Sequence, residues 1–167
     1  MGNAAIGAGC SSTSGLYGDE SGDGNKERAL KQDGELRAGL TGTAELVVGE
    51  EHTAPKIGSG RIRVLGTPVM INLMEAAALA AAERFLPAGH QSLGIELEVS
   101  HVAATPVGMA VRATAEVTRV EGNRIDFAIE AHDEVELIGK AVHKRIVVNV
   151  ERFDRRVQKK AAARKST

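Results

Sequence analysis

The stretch GTPVMINLMEAAALAAAERF, residues 66–85, constrains the fold more than any other part of this chain. It has the length of a helix and is apolar on almost every side. Thr67 stands where an N-cap is expected, and Pro68 at the first helical position, where its missing N–H costs nothing. Leu86-Pro87-Ala88-Gly89 then ends the helix. A helix apolar all round must be covered all round. The rest of the chain has to supply that cover, or a second copy of it does.

The remaining pattern is that of strands. TAELVVGEEHTA (43–54) reads as a strand running into a turn, and PKIGSGRIRVLG (55–66), with three glycines and a proline, as a loop or lid. In LGIELEVSHV the residues Leu93, Ile95, Leu97, Val99 and His101 share one face, and Glu96, Glu98 and Ser100 the other. MAVRATAEVTRV (109–120) and RIDFAIEAHD (124–133) flank a tight-turn signal, EGN. ELIGKAVHKRIVVNV (136–150) completes the set. One strand, one helix and then four strands with hairpin-length connections predict an α+β domain, a five-stranded antiparallel sheet packed around a central helix. The uncovered helix side and the open sheet edges predict a homodimer.

Composition narrows the function. Hydrophobic residues make up 43% of the 167 and aromatics only 2%, which disfavours base stacking as a mode of recognition. A net charge of -1 supplies no global field for nucleic acid or an anionic membrane, so no nucleic-acid partner is expected. The single cysteine, Cys10, precludes an internal disulfide framework. No run approaches the roughly 20 apolar residues of a membrane span, and no signal-peptide pattern opens the chain, so a soluble, cytoplasmic protein is expected. Residues 1–38 are crowded with Gly and Ser and read as a disordered tail. Ile6 occupies the place where a myristoylation signal wants Ser or Thr. The domain is expected over 39–153. Residues 154–167 are expected to form a basic tail, part of a C-terminal stretch, 151–167, with seven basic residues and two acids, read as a frayed solvated helix.

Three side chains invite a chemical reading. Glu75 has no charged neighbour between Val69 and Ala82, and burying a lone carboxylate costs several kcal/mol unless it is hydrogen-bonded or paired. It serves either chemistry or a bond to a neighbouring strand. His101 lies in phase with an apolar face, where one hydrogen bond to the core is the alternative to a functional role. Capping alone accounts for Thr67. Thr67 and Glu75, eight helical residues apart, are separated by about 12 Å along the axis and meet only across a ligand or a second subunit. His52, His90, His132 and His143 have no metal-ligand spacing, so no metal is expected. Neither G-x-S-x-G nor a P-loop occurs, which argues against a serine-hydrolase elbow and a nucleotide phosphate loop, and no cofactor is expected.

Residues 42–153 resemble the fluoroacetyl-CoA thioesterase family of the hot-dog superfamily. The resemblance is carried by a threonine followed eight residues later by a glutamate, by SLG (92–94), by H-x-A-A-T-P-x-G from His101, and by A-H-D-x-x-x-x-I-G-x-x-x-H ending at His143. It implies a dimeric hot-dog fold and hydrolysis of an acyl-CoA thioester. The family's catalytic threonine, glutamate and histidine fall on Thr67, Glu75 and His101, and its substrate-side glycine on Gly94. Where the family's lid carries aromatic residues, 55–66 carry none. A short or medium acyl-CoA is therefore expected, with the acyl group left open. The competing expectations are a non-catalytic acyl-CoA-binding dimer and an enoyl-CoA hydratase or dehydratase on the same scaffold.

Overall fold

The structure, a computed structural model, describes residues 34–164. In chain order it contains β1 (Thr41–Val47), a one-turn α1 (Ala54–Ile57), the long α2 (Thr67–Ala82), β2 (His90–His101), β3 (Ala110–Glu121), β4 (Arg124–Asp133), β5 (Leu137–Asn149) and α3 (Val150–Ala163). The five strands form one antiparallel sheet, as the sequence pattern predicts, and their order is β1-β3-β4-β5-β2, so that β2 pairs with β5 at the sheet edge and not with β3, which follows it in sequence. Gly122, at φ 58°, makes the two-residue β3–β4 turn possible, because that left-handed conformation carries no steric penalty in glycine.

Period-two alternation sends Val111, Ala113, Ala115 and Val117 of β3 and Ile125, Phe127, Ile129 and Ala131 of β4 to the buried face. The opposite face is charged, with Lys140 bonded to Glu130 and Lys144 to Glu96, both at 2.7 Å. Helix α2 lies on the apolar face and buries Met70, Leu73, Met74, Ala77, Ala78, Ala81 and Ala82, a 3.6-residue stripe. Its alanines permit close approach. At Gly42 of β1 an added Cβ would stand 2.2 Å from the Ala81 nitrogen, so strand and helix meet backbone to backbone there. The other side of α2, with Asn72, Ala76, Leu79 and Ala80, is exposed. This is the part of an all-round apolar helix that its own sheet does not reach.

Strand β2 departs from simple alternation. Gly94 is opposite Arg145 while Glu96 is opposite Lys144, which leaves Ile95 as a bulge. After the bulge the odd residues Leu97, Val99 and His101 pair with His143, Ala141 and Gly139 on the helix-facing side. Before it, Ser92 and Gly94 take over that side. The expected face of Leu93 and Ile95 together with Leu97 and Val99 is thus corrected. The extra residue inverts the phase, which a period-two reading cannot register.

Two further expectations change. The ordered domain begins before residue 39, because Leu36 is buried in the core and Gly34 lies against Phe85. The remainder of the expected tail, with Cys10, lies outside the described residues. Helix α3 starts at Val150, inside the expected domain, with Asn149 accepting a hydrogen bond from the Arg152 N–H as its cap. Segment 48–66 is pinned at both ends. Thr53 bridges Leu65, and the Leu65 N–H donates to the Thr105 carbonyl at 2.9 Å. Among the described residues no helix is long and apolar enough to cross a membrane.

Candidate active site

The first residue of α2 is Thr67, and its N-cap is Gly66, which offers no side-chain bond. Capping therefore does not account for Thr67, contrary to the sequence expectation. Its hydroxyl turns to the end of β2, where Oγ1 lies 2.9 Å from His101 Nδ1. The chain delivers Thr67 to this point through Ile57, whose side chain packs so closely on Gly66 that a Cβ there would stand 2.3 Å from Cδ1. His101 Nε2 is buried with no hydrogen-bond partner among the described residues. Burial holds the imidazole pKa below its ordinary value of 6.5, and the nearby Ala103 backbone partly opposes this. A neutral imidazole carries one proton on two nitrogens, so the Thr67 contact leaves Nε2 either a donor or a lone-pair base. Buried polar atoms without partners are rare enough that each calls for a role.

Glu75 sits elsewhere, two turns along α2, with its side chain 40% exposed. It is not alone. Its Oε1 lies 3.5 Å from Arg145 Nη1 and 3.6 Å from His143 Nε2, both on β5 and far away in sequence. Arg145 is 5% exposed. Burial lowers its pKa, while Glu75 and Glu83 raise it, and an arginine remains a cation in any case. Arg145 Nη1 also stands 3.0 Å from His143 Nε2. An arginine only donates, so that imidazole nitrogen accepts and carries no proton. Nδ1–H of His143 donates to the Glu96 carbonyl at 2.9 Å. His143 is therefore neutral, in keeping with a pKa lowered by burial and by Arg145 against the opposing pull of the Glu96 bond and of Glu75. Its 3.6 Å approach to Glu75 is not an ion pair.

Gly94 closes this second cluster. A Cβ at Gly94 would lie 2.9 Å from Glu75 Oε1 and 2.9 Å from His143 Cε1, so only glycine lets the β2 backbone come so near the carboxylate. The structure thus joins Thr67 to His101 and Glu75 to Gly94, and records no contact between the two pairs. Sequence reasoning missed Arg145 and saw in His143 only an absent metal spacing. A signal was present in KAVHKRIVV, where Lys140, Val142 and Lys144 alternate outward and so turn His143 and Arg145 inward. Among the described residues no group of His, Cys, Asp and Glu is arranged to hold a metal.

With this geometry in view, similarity to known proteins is informative. The family model described as FlK, fluoroacetyl-CoA-specific thioesterase, matches residues 48–151. The fluoroacetyl-CoA thioesterase of Streptantibioticus cattleyicolor is 42% identical over 100 residues, which span 60% of this chain and 72% of that protein. A solved structure of the fluoroacetyl-CoA thioesterase FlK matches with a TM-score of 0.72 at 35% identity, covering 76% of this chain and 98% of that one. A thioesterase superfamily member from Thermus thermophilus matches at 0.69 and 29% identity, covering 75% and 96%.

Proposed function

Since the chain belongs to the fluoroacetyl-CoA-specific thioesterase family and hydrolyses acyl-CoA thioesters on a hot-dog fold, we propose that Thr67, Glu75 and His101, with the backbone at Gly94, form its catalytic centre. The observation that carries this reading is the Thr67–His101 contact at 2.9 Å, which commits Nδ1 and leaves a buried Nε2 without a protein partner. Thioester hydrolysis needs a nucleophile at the carbonyl carbon, donors for the developing oxyanion and a proton for the leaving thiolate. Glu75 supplies the first, attacking directly or taking a proton from water. Backbone N–H groups near Gly94 that the pairing of strands leaves free to reach the substrate meet the oxyanion. His101, held by Thr67, gives a proton to the sulfur as the C–S bond breaks and regains it from Glu75, which took it from the attacking water, or, after direct attack, from the water that cleaves the acyl-glutamyl anhydride to the free acid and restores the Glu75 carboxylate.

The parts are brought together by a homodimer. Within one protomer Thr67 and Glu75 are about 12 Å apart along α2, and seven strand residues, about 23 Å, separate Gly94 from His101. Strand β2 lies at the sheet edge. Pairing two such edges antiparallel, about a twofold axis midway between Gly94 and His101, sets the His101–Thr67 half of one protomer beside the partner's Gly94 and Glu75. The same pairing lets the exposed Ala76, Leu79 and Ala80 of the two α2 helices cover each other. Light scattering is expected to give about 35 kDa, twice the 17.5 kDa protomer.

The acyl group is short or medium and is not confined to fluoroacetyl, because residues 55–66 contain no aromatic side chain to form the aromatic lid that the family resemblance implies. Acyl-CoA is the substrate, and the cytoplasm, where such esters are made, is the proposed location. The test is free-thiol release across a panel of acyl-CoA esters. Glu75→Gln and His101→Ala should each lower turnover by at least about a hundredfold. Near-wild-type hydrolysis by both variants would overturn the assignment. Tight binding without turnover, or hydration of an enoyl-CoA, would point instead to a binding dimer or a dehydratase.

A further inference from the structure

We propose that Ser92 and Glu83 are positioning residues for the hydrolysis, acting on Glu75 through Arg145. The proposal rests on Glu75 being the reacting carboxylate. The Arg145 guanidinium is a rigid planar fork, so fixing one edge fixes the direction of the other. One edge is docked at two points on a single residue. Arg145 Nε donates to Ser92 Oγ and Nη2 to the Ser92 carbonyl, both at 2.8 Å. The remaining nitrogen, Nη1, is thereby aimed at His143 Nε2 and Glu75 Oε1.

The Ser92 hydroxyl serves as acceptor only if its single hydrogen is directed elsewhere. Glu83 Oε1 takes that hydrogen at 2.6 Å and also accepts the Ser92 N–H at 2.8 Å. With the hydrogen committed, an oxygen lone pair faces Arg145 Nε. The order of control runs from Glu83, which sets the Ser92 rotor, to Ser92, which sets the plane of Arg145, to Arg145, which holds the Glu75 carboxylate beside Gly94. His143, locked on its far side by the Glu96 carbonyl, receives Nη1 and keeps it from swinging away from Glu75. Because the bulge takes Ile95 out of the ladder, Ser92 and Gly94 stay on the helix-facing side of β2, where Gly94 meets Glu75 and Ser92 meets Arg145.

A merely structural tie between the end of α2 and β2 would lower stability and affect every background alike. A positioning role has a different signature. In the otherwise wild-type protein, Ser92→Ala and Glu83→Ala are expected to lower kcat at least about tenfold with KM little changed. Glu83→Gln, whose amide oxygen accepts both Ser92 bonds, should stay within about threefold of wild type. In the Glu75→Gln background, where the carboxylate to be positioned is gone, neither alanine substitution should cost a further factor of more than about two.

Equal losses in both backgrounds, no loss in the wild-type background, or a Glu83→Gln as impaired as Glu83→Ala would overturn the proposal. Circular dichroism and dimer mass establish that each variant is folded. If Ser92→Ala does not fold, the Glu83 pair decides alone. A Glu75→Gln variant that itself hydrolyses at the wild-type rate would defeat the underlying reading of Glu75, a result distinct from any of these.

Discussion

Two inactive variants mixed together should make an active enzyme. Glu75→Gln destroys one half of the proposed centre and His101→Ala the other, and in the proposed dimer the halves come from different protomers. In a mixed dimer, the protomer carrying Glu75→Gln contributes an intact His101 and Thr67, and its partner contributes an intact Glu75 and Gly94. One of the two centres is then whole, and the other carries both lesions. Random reassortment makes half of the dimers mixed, each with one working centre of two, so the mixture should recover about a quarter of wild-type activity per protomer. Each parent alone should stay near one per cent or below, on the order of the loss of a positioned acid or base.

The assay is thiol release after the two homodimers are unfolded together and refolded, with each parent treated alone as the baseline. A control follows from the 2.9 Å Thr67–His101 contact. Thr67 and His101 belong to one half, so Thr67→Ala mixed with His101→Ala should recover nothing. A Glu75→Gln and His101→Ala mixture no more active than the mean of its parents would refute the shared centre and require each protomer to complete its own.

Thr67→Ala should abolish most turnover while costing only about 1 kcal/mol of stability, since it loses one partly buried hydrogen bond and no cap. Thr67→Ser should retain both activity and melting temperature, and a large fall in its melting temperature would contradict the assigned geometry. Gly94→Ala places a methyl 2.9 Å from Glu75 Oε1, so turnover should fall at least about tenfold in a folded dimer. Wild-type kinetics in that variant would show that the backbone approach is unimportant. For pH, the folded pKa values of His101 and His143 lie below 6.5, so between those values and 6.5 the unfolded chain binds more protons than the folded one. The stability these neutral histidines contribute is present above about pH 6.5 and declines as pH falls through that window. Melting temperatures from pH 5 to 8 check this, and a rise on acidification would contradict it.

Much of this molecule is legible in its sequence because its strands and central helix have clean periods. RIDFAIEAHD coincides with β4, and Met70, Leu73, Met74 and Ala77 follow the helical stripe. Thr67, Glu75 and His101 stand out as polar groups in apolar or capping contexts. What remained hidden is what long-range pairing decides. The partner of Glu75 comes from Arg145, seventy residues away, and no local window contains both. The role of Ser92 depends on a one-residue bulge, and a bulge breaks the period that strand recognition relies on. Thr67 has a residue type that suits an N-cap, and only the fold shows that Gly66 holds that position and that the hydroxyl is spent on His101.

Ile95 is supernumerary: β2 carries one residue more than β5 needs across that stretch, and deleting it would leave every other facing unchanged. Its contribution is then local twist, applied between the half of the strand that carries Gly94 and the half that carries His101. In a twofold dimer these halves serve different centres, and the twist appears twice, once on each side of the axis. In the proposed dimer Ile95 would thereby act as a joint between the halves of both centres. A change there would reach the two centres together, although no ligand passes between them.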